Sequence, residues 1–342
     1  MRSMPPLEGA QPPLPEPPPI VAWGEPSRID WRSWLARREV IVLFILVAGS
    51  VIFNLTHRSY LTGDNIVSIL SNVSVVAIIS IAMTMVIVTG GIDVSVGSML
   101  ALCMLVSAST MAAGGDLVMA LLVSLGLGLL AGLINGAIVA FGRIHPIIVT
   151  LGTLNIIRAV HIQILGPRWI TPPPVAHNLA LGTFIGWPIP WWLAVLLCVL
   201  FSLFLTRRPL GRHIYAIGGN PEAARLAGVN VRGVTIFVYA MTGALVGLAA
   251  VIQLGQSGTV QPNAGVGLEL QVIAATVIGG TSILGGKGTV VGAVLGALLV
   301  EAVHNALITI GNLGLIEGLI IGVLILIAVG FDVIQNRRAA SR

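Results

Sequence analysis

The stretch "VTGGIDVSVGSMLAL", residues 88–102, interrupts two long apolar runs with a glycine pair and one carboxylate. Gly90 and Gly91 precede Asp93, and Gly97 follows one helical turn later. The flanking runs, near 66–89 and 94–113, have the length of about 20 residues that a helix needs to cross a bilayer. An ionised carboxylate in the middle of hydrocarbon is expensive. Read as a turn between two spans, the stretch places Asp93 near water at a helix start. There its oxygen accepts first-turn N–H groups and faces the positive end of the helix dipole. Gly90 and Gly91 supply the chain break, and Gly97 allows a neighbouring helix to come close. The turn is read first as a structural cap and second as an inner-gate contact or a contact with a partner subunit.

The composition outside this stretch says the same. Hydrophobic residues make up 56% of the 342 residues and charged residues 9%, against roughly 25–35% charged on a soluble surface. Most of the surface must therefore face lipid, and the fold class is an all-α polytopic membrane protein. The net charge of +5 does not mark a nucleic-acid binder, because the basic residues sit in short clusters between apolar runs rather than in one patch. Cys103 and Cys198 lie inside apolar runs without metal-ligand spacing and read as small core residues. No metal site is expected.

Ten apolar runs can be counted, near 40–56, 66–89, 94–113, 117–141, 146–165, 189–206, 233–254, 269–284, 290–310 and 316–334. The basic segment "RIDWRSWLARRE" before the first run puts the N-terminus inside. Ten crossings then place Arg143, the long loop 207–232, Lys287 and the tail "NRRAASR" inside too, so both termini are cytoplasmic. Of 18 basic residues only Arg58 and Arg168 fall outside, and Arg158 lies within a span. The sequence thus divides into a Pro-rich cytoplasmic head at 1–38, too proline-dense for a helix, a membrane domain at 39–335, and a short tail at 336–342. The loop "GPRWITPPPVAHNLALGTFIGWPIPWW" carries tryptophans suited to the outer interface.

The inner loop between the sixth and seventh runs contains a complete helix signal. Asn220 caps, Pro221 fills the first helical position, and Glu222 in the first turn suits the dipole. Ala223, Ala224 and Arg225 continue the helix, and Gly228 ends it. So short a helix is marginal alone in water, and it is expected to dock on a partner.

The spacing Glu222-Ala223-Ala224-x-x-x-Gly228 resembles the coupling loop of bacterial ATP-binding-cassette importers. With "VTGGIDVSVGSMLAL", "IVTLGTLNIIRAV", "GRHIYAIGGNPEAARLAGV" and "GLELQVIAATVIGGTSILGGKGTVVGAVLGALL" in order, residues 40–335 resemble the permease subunits of monosaccharide importers of that class, the ribose, xylose, arabinose and rhamnose type. The resemblance implies a multi-pass subunit of the bacterial inner membrane that works as a dimer with a second copy or a paralogue. It also implies a cytoplasmic ATPase that binds the ATP, a periplasmic solute-binding protein, and contact of residues 220–225 and 228 with the ATPase. Related permeases carry branched-chain amino acids, and an ion-coupled secondary transporter is the alternative of a different class.

No catalytic residues are assigned. "GGTSILGGKGT" fails as a phosphate loop, which needs Gly where Thr281 stands and Ser or Thr where Gly288 stands. ATP is therefore expected on another chain, and no cofactor on this one. Candidate path-lining residues are the polar ones within spans: Asn72, Asn135, Thr153, Asn155, Arg158 and Glu301. Gln253 and Ser74 are similar in character. Asn155, Arg158 and His161 share one helix face, and Glu301 and His304 are three apart on another. Glu269 is expected in water at the outer end of the eighth run. A translocation path must bind its cargo weakly, so no deep specificity pocket is expected.

Overall fold

A computed structural model describes residues 38–173, 175–311, 318–320, 322–324, 326–327 and 330. The Pro-rich head and the tail 336–342 lie outside the described residues. The tenth expected run is described only in part, with helical backbone at those positions. The helices are α1 (Arg38–Thr56), α2 (Gly63–Val88), α3 (Val96–Ala112), α4 (Leu117–Gly142), α5 (Pro146–Leu165) and α6 (Val175–Leu181). There follow α7 (Ile189–Arg207), α8 (Pro209–Gly219), α9 (Pro221–Leu226), α10 (Val231–Ser257), α11 (Leu268–Ile278) and α12 (Val290–Ile310). A hairpin of β1 (Thr183–Phe184) and β2 (Trp187–Pro188) separates α6 from α7.

Among the described residues seven helices are long and apolar enough to cross a membrane: α1, α2, α4, α5, α7, α10 and α12. Two of the expected spans are shorter. Helix α3 has 17 residues and α11 has 11. At 1.5 Å per residue α11 covers about 16 Å, roughly half the hydrocarbon thickness. Its ends are set by glycine: Gly267 in the left-handed region before it and Gly280, also at positive φ, just after it. The apolar residues to 284 that looked like continuing span are a Gly-rich turn.

Helix α2 is the central post. Every residue from Val73 to Val88 is buried, and α7, α10, α11 and α12 pack around it. Polar groups there bond along the helix, Ser74 to the Leu70 carbonyl at 2.6 Å and Thr84 to the Ser80 carbonyl at 2.8 Å, which satisfies them where water is absent. Helices α1, α4, α5 and α7 form the periphery, with Phe44, Ile52, Leu130, Ile148 and Leu200 exposed as lipid contact requires.

The closest helix pair is α4 against α10, antiparallel. Gly128, Gly132 and Gly136 recur every four residues and meet Gly243, Tyr239 and Ile236. A Cβ at Gly128 would overlap the Gly243 carbonyl, and one at Gly243 would overlap Gly128. Small residues let backbones approach and gain dispersion that the lipid-facing alternative cannot match. Ser124 adds a bond to the Gly247 carbonyl at 2.7 Å.

Candidate functional site

The segment from α8 to α10 builds a projecting bracket. The Asn220 side-chain oxygen accepts the N–H groups of Glu222 at 3.1 Å and Ala223 at 3.0 Å, and Pro221 opens α9. At the other end Gly228 sits at φ 84. Its N–H bonds to Arg225 O and the N–H of Val229 bonds to Ala224 O, both at 3.0 Å, the Schellman closure in which a left-handed glycine satisfies the last carbonyls. Arg225 Nε donates to Glu222 Oε2 at 3.0 Å, and this bond and the guanidinium charge hold the Glu222 carboxyl below its usual range. Ala224 is buried and anchors the helix, while Leu226 is 75% exposed. Six residues are thus held by caps at both ends and present an unpartnered face.

Behind α9 three glycine turns lock together. The N–H of Gly286 donates to the Val88 carbonyl at 2.8 Å. Gly218, at the end of α8, lies so close that a Cβ would overlap both that carbonyl and the Gly286 nitrogen. A Cβ on Gly285 would stand 3.0 Å from Gly218 O and 3.1 Å from Gly90 N. Tyr215 on α8 donates to the Gly288 carbonyl at 2.8 Å. The α2–α3 turn, the α8–α9 junction and the α11–α12 turn therefore form one backbone-to-backbone contact. Gly218 was not singled out in the sequence, although Gly218-Gly219 directly before Asn220-Pro221 is a visible signal.

Asp93 is not near water. It is fully buried, and its Oδ1 accepts the Ser95 N–H at 2.9 Å and the Ser95 hydroxyl at 2.6 Å. The Ser95 Oγ in turn accepts from Asn135 Nδ2 at 2.9 Å. The burial arises because α3 starts within the protein, against α4 and α5, rather than at the end of the bundle. Gly91 faces the Tyr239 hydroxyl, and Gly97 lies against Gly265 O and the Glu269 carboxylate, where a Cβ has no room. Glu269 accordingly packs at half-buried depth on the first turn of α3 instead of standing in water.

The expected path residues separate. Asn135 belongs to the Asp93 cluster. Thr153 bonds to Thr150 O at 3.3 Å and Asn155 to Leu151 O at 2.9 Å, each within α5. Arg158 Nη1 donates to Ala264 O, and His161 Nε2 meets Gln261 O at 3.1 Å. These two side chains tie α5 to the 258–267 loop. Asn72 and Glu301 do come together, with Gln253, Gln256, Gln271 and His304, around a cavity of about 240 Å³. An adjoining cavity of about 310 Å³ shares Gln253, Ser257, Leu268 and Gln271, and adds the 259–266 loop and Leu100 and Met104 of α3. Both lie toward the end of the bundle opposite α9, since Asn72 and Glu301 are each nine residues from that end of their helices, about 14 Å. No deep specificity pocket was expected, and both cavities are half open to their surroundings. The 258–267 loop, with turns at Gly258, Gly265 and Gly267 at positive φ, folds back into the bundle and forms one wall of the larger cavity.

The family described as branched-chain amino acid transport system / permease component matches residues 65–329. The ribose import permease protein of Escherichia coli (strain K12) is 38% identical over 309 residues, 88% of this chain and 95% of that protein. That of Bacillus subtilis (strain 168) is 36% identical over 293 residues, 85% and 90%. The autoinducer 2 import system permease protein of Salmonella typhi is 35% identical over 272 residues, 79% and 78%. No solved structure matches. With residues 65–329 matched and relatives aligned along most of its length, the chain belongs to the branched-chain amino acid transport system / permease component family.

Proposed function

We propose that the chain is the membrane-spanning permease subunit of an ATP-binding-cassette importer for a monosaccharide or sugar-like solute, placed in the bacterial inner membrane. Its relatives are named as ribose and autoinducer 2 import permeases, which favours a sugar-like cargo over a branched-chain amino acid. Both termini and α9 face the cytoplasm, and about ten segments enter the membrane, α3 and α11 as short ones. A second copy or a sister permease completes the path. A periplasmic binding protein delivers the solute at the end opposite α9.

The observation that carries this reading is α9: a six-residue helix fixed at both ends, anchored by Ala224 and open on the face bearing Leu226. It suits the groove of a separate ATPase, which binds the ATP. Closure of two ATPases would push α9, and the interlocked turns at Val88, Gly218 and Gly286 lie directly behind it.

The test is solute uptake into proteoliposomes. Uptake requires the ATPase, ATP and the binding protein; uptake by this chain alone on an ion gradient would instead establish a secondary transporter. Glu222→Lys reverses the charge that Arg225 binds, and Gly228→Val strains the left-handed position. Each should lower ATP-driven uptake at least tenfold while membrane insertion and ATP hydrolysis persist. Wild-type uptake in both variants would remove α9 from the coupling role.

A further inference from the structure

The two adjoining cavities are lined by a chemistry that selects among small solutes. We infer that they form a carboxamide site for a neutral vicinal diol, with Gln253 at its centre; this rests on the importer reading above and assigns residues and substrate chemistry within it. Gln253 borders both cavities. Its amide makes no hydrogen bond to the described residues, in contrast to Gln256, whose Nε2 donates to Ser71 O at 2.7 Å and so is committed to the wall. Asn72 and Asn263 likewise keep their amides open to the cavities. A carboxamide presents an acceptor and a donor side by side. Two adjacent hydroxyls present a donor and an acceptor at matching spacing, so one amide can hold a diol by two bonds.

Glu301 and His304 border the smaller cavity, an acid and an imidazole with no Lys or Arg for a carboxylate. The larger cavity, where the ring is placed, has no ionisable side chain in its lining. Beside its amides and hydroxyls it offers Leu100, Met104 and Leu268, which suits the C–H face of a sugar ring. A zwitterionic amino acid would need a cation for its carboxylate and an anion for its ammonium, because burying either charge unpaired is costly. At the start of α11, a place that could cradle a carboxylate, the N–H of Gly267 bonds Glu269 Oε1, that of Leu268 bonds Gly265 O and that of Leu270 bonds Gly267 O. A volume near 310 Å³ stands at the small end of ligand sites, the size for one sugar ring.

Arg158 and His161 act here as positioning residues. They hold the carbonyls of Ala264 and Gln261, and those residues form the cavity wall.

Saturation-transfer NMR on the purified full chain in detergent tests the assignment without requiring transport. The probes are D-ribose, L-arabinose, L-rhamnose and, as the charged comparison, L-leucine, each at millimolar concentration. Wild type should transfer saturation to at least one sugar and not to leucine. Gln253→Leu, close in size, and Asn72→Ala, on an exposed position, should each weaken that sugar about tenfold, the loss of a two-bond contact. Transfer to leucine alone, transfer to no probe, or unchanged sugar binding in folded Gln253→Leu and Asn72→Ala would each overturn the site. The importer reading stands or falls separately, on ATP-dependent uptake.

Discussion

At the scale of single residues, Asp93 and the amides illustrate opposite solutions to polarity in an apolar chain. Asp93 turns inward and spends its Oδ1 on the Ser95 N–H and hydroxyl. Asp93→Ala would leave two buried donors without that acceptor, a loss of about 1–3 kcal/mol. Asp93→Asn keeps an oxygen in the same place and should lose less. Thermal unfolding in detergent distinguishes them, and an Asn variant as damaged as the Ala variant would contradict the role of Oδ1. Gln253 is the reverse case, a polar group kept open. The Asp93 stretch was legible as a turn before a helix, but the cap position falls to Ser95, whose side chain makes no cap bond. Asp93 therefore does not hold first-turn N–H groups as expected. Its depth was not legible either, because a residue's distance from water is a property of its neighbours. The expectation that Glu269 stands in water failed for the same reason.

At the scale of elements, glycine does two different jobs. In α9 it closes a helix, and that signal was complete in the sequence: cap, proline, acidic first turn, terminal glycine. At Gly218 it allows three backbones to meet, and nothing local announces the partner. The contrast with its neighbour is testable. A Cβ at Gly219 meets nothing within 4 Å, whereas one at Gly218 overlaps Val88 O and Gly286 N. Gly219→Ala should be neutral or stabilising by up to about 1 kcal/mol. Gly218→Ala should lower the thermal midpoint by several degrees, since about 1 kcal/mol or more of overpacking moves a helical membrane domain measurably. Equal midpoints would refute the close junction. The Gly128-Gly132-Gly136 ladder of α4 was also present to be read, as a four-residue small-residue period, yet its facing helix α10 lies a hundred residues away in the chain.

At the scale of the whole molecule, the distribution of polar surface decides what faces lipid. Asn72 is exposed on α2, the central helix, about 14 Å from its end. Such a group does not face hydrocarbon without cost, so on the importer reading proposed above that flank of the bundle borders a water-filled path. In a background with Cys103 and Cys198 replaced, a cysteine variant Asn72→Cys should react with a membrane-impermeant maleimide. Ile52→Cys, on the exposed apolar face of α1, should not. Equal labelling of the two would remove Asn72 from an aqueous path.

By itself the sequence determined the membrane class, the positions of the long helices and the capped helix at 220–228. Each depends on local composition, periodicity or capping, and these act over a few neighbouring residues. Only the tertiary structure decided that the eighth run ends at Ile278, that Asp93 is enclosed, and that Asn135 and Arg158 serve packing and loop anchoring. It alone brought Asn72, Gln253 and Glu301 to one cavity. Those outcomes depend on contacts between α2, α10, α12 and the folded-back 258–267 loop. In a bilayer such contacts are set by close packing and by paired backbone polar groups, which residue order along one helix does not encode.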